Sequence, residues 1–216
     1  MHDYERSGEH LSENSVTARA AAAVRAIPAA RRPLFCAACA ERFYEGYSHW
    51  FPVEENRAAI PFPALLRDAI DFCWQRSSEP DELARVAGEV RQATEMEAQV
   101  QFSSGLSLYN VAIWIVLEAL DCGVDLDPAH VLRSSGFALD FYLQLLDAKR
   151  ERTGGRSDAD PSATAFETDI GVAAEAERQV ADAEALSQTT IDVVGLRAAS
   201  AALGNHVLHE ILAVMG

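Results

Sequence analysis

The sequence predicts an all-α protein: a single-domain bundle of about seven to nine helices with one buried central helix. Three observations carry this. No segment alternates apolar and polar residues with β-branched enrichment, and no Asn-Gly or Asp-Gly hairpin turn occurs. Apolar residues recur instead at steps of three and four, between helix start and stop signals. And Leu106–Leu120, LSLYNVAIWIVLEAL, is apolar nearly all round, as a helix enclosed by others must be. That run is shorter than a bilayer span and carries Asn110 and Glu118, so it reads as core rather than membrane.

The elements follow in order. Residues 1–14, MHDYERSGEHLSEN, are polar with no apolar stretch, which predicts a flexible tail and no secretory signal. The helical domain spans 15–216. Ser15 is an N-cap for VTARAAAAVRAI, which Pro28 ends. Pro33 suits the first turn of a helix that stops before Pro52. Leu65, Leu66, Ile70, Cys73 and Trp74 give helical spacing over 62–76. Pro80 opens a long amphipathic helix, DELARVAGEVRQATEMEAQVQF. The apolar helix then stops near Gly123, and Asp127-Pro128 caps VLRSSGFALDFYLQLLDAKRER. Gly, Asp, Ser and Pro mark 153–163 as a mobile loop. Thr164 and Glu167 form a capping box for the next helix. A last helix covers 191–214, with a break expected near Gly204.

Charge narrows the function classes. There are 18 basic and 33 acidic residues in 216, a net charge of −15. Nucleic acid and anionic membrane both need positive charge at the contact, so neither is an expected partner. A basic protein is. Four cysteines without a signal segment point to reduced thiols in the cytoplasm.

The chemical motifs are few. Cys36-Ala-Ala-Cys39 has redox or metal spacing, but it lacks the βαβ surroundings of a thioredoxin-type site. On a helix, Cys36, Cys39, Phe43, Tyr47 and Trp50 share one face, which makes the cysteines small core residues. Cys73 and Cys122 are isolated, and His49 lies too far along the helix to complete a zinc set. His206 and His209, followed by Glu210, match no zincin pattern and read as a surface pair. The turn Asp121–Asp127 fails the calcium-loop spacing and reads as a helix end and N-cap. No nucleophile elbow, phosphate loop or dinucleotide fingerprint is present. Hence no catalytic residue, metal ligand or cofactor is assigned.

The strongest surface feature is acidic. Around the helix at 167–184, Glu175 and Asp182 form one stripe and Glu177 and Glu184 another. They flank an apolar arc of Val172, Ala173, Ala176, Val180 and Ala183. The candidate partner-binding residues are therefore Glu167, Asp169, Glu175, Glu177, Asp182 and Glu184, with Asp121, Asp125 and Asp127 of the acidic turn.

The order of short motifs resembles the bacterial family called domain of unknown function 416. The opening helix carries the likeness at Cys36, Ala37, Cys39, Glu41, Arg42, Phe43, Tyr44 and Tyr47. ALLRDAIDFCWQ is similar to that family's next helix, and the helix from Tyr109 to Leu120 fits as well. Glu167-Thr168-Asp169-Ile170 resembles its late Trp-Asp-Ile motif, with Thr168 in place of Trp. The chain is also similar to helical immunity proteins of bacterial polymorphic toxins. The resemblance implies an all-α fold and transfers no catalytic residue.

The expected function is thus non-catalytic binding of a basic protein, as an immunity protein binds its cognate toxin. Two other readings stand beside it: a metal- or thiol-dependent enzyme or sensor using Cys36 and Cys39, with His49 or Cys73, and a structural helical homodimer. For the homodimer, Tyr44, Trp50 and Phe51 are the candidate contacts.

Overall fold

A computed structural model describes residues 15–50, 62–75, 79–100, 107–152 and 170–215. Among them are eight α-helices and no strand: α1 (Val16–Arg25), α2 (Arg32–Trp50), α3 (Phe62–Trp74), α4 (Pro80–Val100), α5 (Ser107–Asp125), α6 (Pro128–Arg152), α7 (Ile170–Ser187) and α8 (Val193–Met215). A single 3-10 turn, Ala29–Arg31, joins α1 to α2. The expected tail at 1–14, the loop at 153–163 and the capping box at 164–167 lie outside the described residues.

Local chemistry sets the helix ends. Ser15 Oγ accepts from the Ala18 amide at 3.1 Å, as an N-cap does. Pro33 and Pro80 sit in first turns, where a missing N–H costs nothing. Asp127 Oδ1 accepts from the Ala129 amide at 2.9 Å, opening α6. Two adjacent arginines close two distant C-termini. Arg31 Nη1 donates to Leu186 O at 2.6 Å in the last turn of α7. Arg32 Nη1 donates to Leu126 O at 2.7 Å at the end of α5. Cations there complement the free carbonyls and the negative end of each helix dipole.

The core has α2 at its centre, packed against α8, α5, α3 and α6. Every residue from Leu34 to Phe43 is buried. The apolar helix α5 is buried over Val111–Val116 except at Trp114, which is 42% exposed and stacks on Phe137 at 5.3 Å. All eight helices contribute to one contiguous core. Each large apolar side chain buried in it contributes about 1.5–3 kcal/mol. No described helix is long and apolar enough to cross a membrane.

Gly204 corrects one expectation. It does not break α8, which is continuous. A Cβ there would stand 3.2 Å from Arg42 O and 3.4 Å from Glu41 O. Glycine is needed because α8 lies directly on the α2 backbone, not because the chain turns.

Candidate functional site

Two adjacent charges, Glu41 and Arg42, stand in the most buried stretch of the chain, at 5% and 0% exposure. About 100° apart on α2, they reach different neighbours. Arg42 turns to α7, with Nη2 3.0 Å from Glu175 Oε1 and Nη1 2.5 Å from Asp182 Oδ2. Glu175 also accepts from Arg178 Nη1 at 2.8 Å and Gln179 Nε2 at 3.2 Å. Gln179 in turn accepts from Ser135 Oγ of α6 at 2.6 Å. Glu41 turns to α3 and α8. It receives both ends of the Arg67 guanidinium at 2.7 and 2.8 Å, Trp74 Nε1 at 2.9 Å, and pairs with Arg197 at 3.5 Å. Asp71 joins Arg67 to Arg197.

Each network holds two arginines and two carboxylates: Arg42 and Arg178 with Glu175 and Asp182, Arg67 and Arg197 with Glu41 and Asp71. Burial works against the Arg42 charge, but Glu175, Cys39 and Asp182 together outweigh it and keep the guanidinium firmly protonated. Arginine is not a proton donor in this range. The carboxylates are pinned by their partners. The networks therefore tie four helices, α3, α6, α7 and α8, to α2.

This overturns part of the expected acidic face. Glu175 and Asp182 do not face solvent: their side chains are 0% and 15% exposed and belong to Arg42. The inward stripe of α7 is Val172, Glu175, Ala176, Gln179, Ala183 and Leu186. Only Glu177 and Glu184 point outward, and Glu177 pairs with Arg19 at 3.2 Å. Glu167 and Asp169 lie outside the described residues. Spacing of three and four from Val172 through Leu186 was the available signal, together with a charge pair on α2 that had no solvent face to use.

The acidic turn is brought together as expected, but its acids are engaged. Asp121 binds Arg91 Nη2 at 2.5–2.6 Å, and Asp125 Oδ1 accepts from the Asp127 amide at 2.8 Å. That backbone hydrogen bond is the main reason the Asp125 carboxyl is held below its ordinary value. Sequence reasoning missed the group beside it, His130 with Glu118 and Arg133. Glu118, alone in an apolar run, was the clue.

All four cysteines are free and buried. Burial pushes the Cys39 and Cys73 thiols up to about 12 and raises Cys36 as well, with Cys122 adding to it. A reactive thiolate needs the opposite environment, exposed and electropositive. Among the described residues no three His, Cys, Asp or Glu side chains are placed to hold a metal ion. The side chain of His49 is outside the described set. His206 and His209 are both exposed. Of the aromatics assigned to a dimer contact, Tyr44 is half-buried, donates to Pro63 O at 3.1 Å and lies under Arg67. Phe51 and the Trp50 side chain are outside the described set.

Comparison with protein-family models, characterised proteins and solved structures found no match. The likeness to domain of unknown function 416 rests on the sequence motifs alone.

Proposed function

We propose that this protein acts without catalysis, by binding a basic protein in the cytoplasm, as an immunity protein that neutralises a cognate bacterial toxin. One observation carries the reading. The net charge is −15, and the described arginines, apart from the exposed Arg25, are turned onto the protein's own structure. Arg19, Arg42, Arg67, Arg85, Arg91, Arg133, Arg178 and Arg197 bind carboxylates. Arg31 and Arg32 bind helix-end carbonyls. The field met by a partner thus comes from surplus carboxylates, which speed encounter with a basic surface and repel nucleic acid. Toxins that attack nucleic acid present such a basic surface.

The exposed acids that remain candidates are Glu177 and Glu184 on α7 and Asp125 and Asp127 at the α5–α6 turn. Co-expression with a toxin encoded beside this gene tests the reading. Growth should be restored and a complex should co-purify. Unrelieved toxicity with no complex would overturn it.

A further inference from the structure

His130 lies in the first turn of α6 and is 8% exposed. Both ring nitrogens face carboxylates of α5: Nδ1 is 2.6 Å from Glu118 Oε2, and Nε2 is 3.2 Å from Asp125 Oδ2. The same Nδ1 is 2.7 Å from Arg133 Nη2, while Arg133 Nε donates to Glu118 Oε1 at 2.7 Å. A ring nitrogen carries either a hydrogen or a lone pair. With a hydrogen, Nδ1 donates to Glu118 and opposes Arg133. With a lone pair, it accepts from Arg133 and opposes Glu118. Only the imidazolium gives both carboxylates a donor; either neutral tautomer serves one and turns a lone pair on the other.

We propose that the α5–α6 connection is a pH-sensitive latch, in which the His130 imidazolium ties α6 to both Glu118 and Asp125, and loss of its proton releases one tie and loosens residues 125–130. The latch is independent of the partner reading. Acids outnumber cations around His130, with Arg133 opposing the proton at Nδ1. From α5 the charges around it are Glu118, Asp121 and Asp125, from the turn Asp127, and from α6 Arg133. From α4, Arg91 is occupied by Asp121, and from α2, Arg32 is occupied by Leu126 O. Among the described residues no ion pair joins α1, α7 or α8 to this group. Burial by itself lowers the His130 basicity, but the hydrogen bonds to Glu118 and Asp125 outweigh it and raise the group above its ordinary value. A raised histidine stabilises fully below its unfolded value of about 6.5, and that stability is lost as pH rises through the folded value.

Leu126 adds a mechanical element. Its φ is 60°, the left-handed region that a leucine rarely occupies. Its amide donates to Cys122 O at 3.0 Å, and its carbonyl is held by Arg32. A turn so constrained relaxes when a tie beside it is cut.

The test combines two NMR measurements on the whole protein. The His130 ring is titrated, and exchange of the Leu126 and His130 amides is followed across the same pH range after correction for the intrinsic rate. We expect a midpoint above about 6.5, with amide protection falling by about threefold or more through it while α2 amides stay level. Asp125→Asn, at an exposed residue, should lower the midpoint, and His130→Gln should abolish the pH dependence of protection. A midpoint at or below the ordinary value, protection that does not change with pH, or unchanged behaviour in Asp125→Asn would each overturn the latch.

Discussion

Removing the Glu175 carboxylate should destabilise this protein more than removing any exposed acid on the same helix. The side chain is fully buried and accepts from Arg42, Arg178 and Gln179 at 2.8–3.2 Å. Charge-assisted hydrogen bonds contribute about 1.5–3 kcal/mol each, so a simple sum sets a ceiling near 5–9 kcal/mol. Two features lower it. Arg42 keeps Asp182 at 2.5 Å, and Arg178, 20% exposed, can turn to water. What remains is a fully buried Arg42 with half its neutralising charge gone. Breaking a buried pair in this way costs about 3–5 kcal/mol, and we expect Glu175→Ala at the lower end of that range. For a chain of this length that is roughly 6–16 °C in Tm and a large share of total stability. Glu175→Gln retains shape and one acceptor, and should cost about 2 kcal/mol. The assay is urea unfolding followed by helical circular dichroism, with Glu184→Ala as the exposed control, expected within about 0.5 kcal/mol of wild type. Equal midpoints for Glu175→Ala and Glu184→Ala would refute the argument.

Gly204→Ala places a methyl against the α2 backbone at 3.2 Å; helix propensity favours alanine by about 1 kcal/mol, but a buried backbone cannot yield, so thermal melts should show a lower Tm. Gly88→Ala is its control, on an exposed face of α4 with nothing within 4 Å of the new Cβ, and should raise stability by about 0.5–1 kcal/mol. The buried thiols of Cys36, Cys39, Cys73 and Cys122 should resist a water-soluble thiol reagent in the folded protein and react together in denaturant. Rapid stoichiometric labelling of the folded state would revive the thiol-dependent reading.

The helices were legible because their signals are local. Ser15, Pro33, Pro80 and Asp127-Pro128 each act within one turn of where they stand, and each stands at or next to the helix start it predicted. The burial of Cys36, Cys39, Phe43 and Tyr47 followed from their shared helical face. The inward turn of Glu175 and Asp182 was signalled only by spacing, and spacing alone leaves a charge on the solvent side until its partner is known. That partner, Arg42, is 133 and 140 residues away in sequence. Gly204 failed for a similar reason: a glycine required by a neighbouring backbone and one that breaks a helix are the same letter. His130 became visible only when the α5–α6 antiparallel pairing brought Glu118 and Arg133 around it.

Binding of a purified toxin partner, measured against salt for wild type and for the double variant Glu177→Arg with Glu184→Arg, tests the central claim most directly. Both positions are exposed, so the fold should be kept. The account predicts affinity that falls steeply with salt, and a loss of about tenfold in the variant at low salt that narrows as salt rises. Wild-type and variant affinities that coincide at low salt would contradict it.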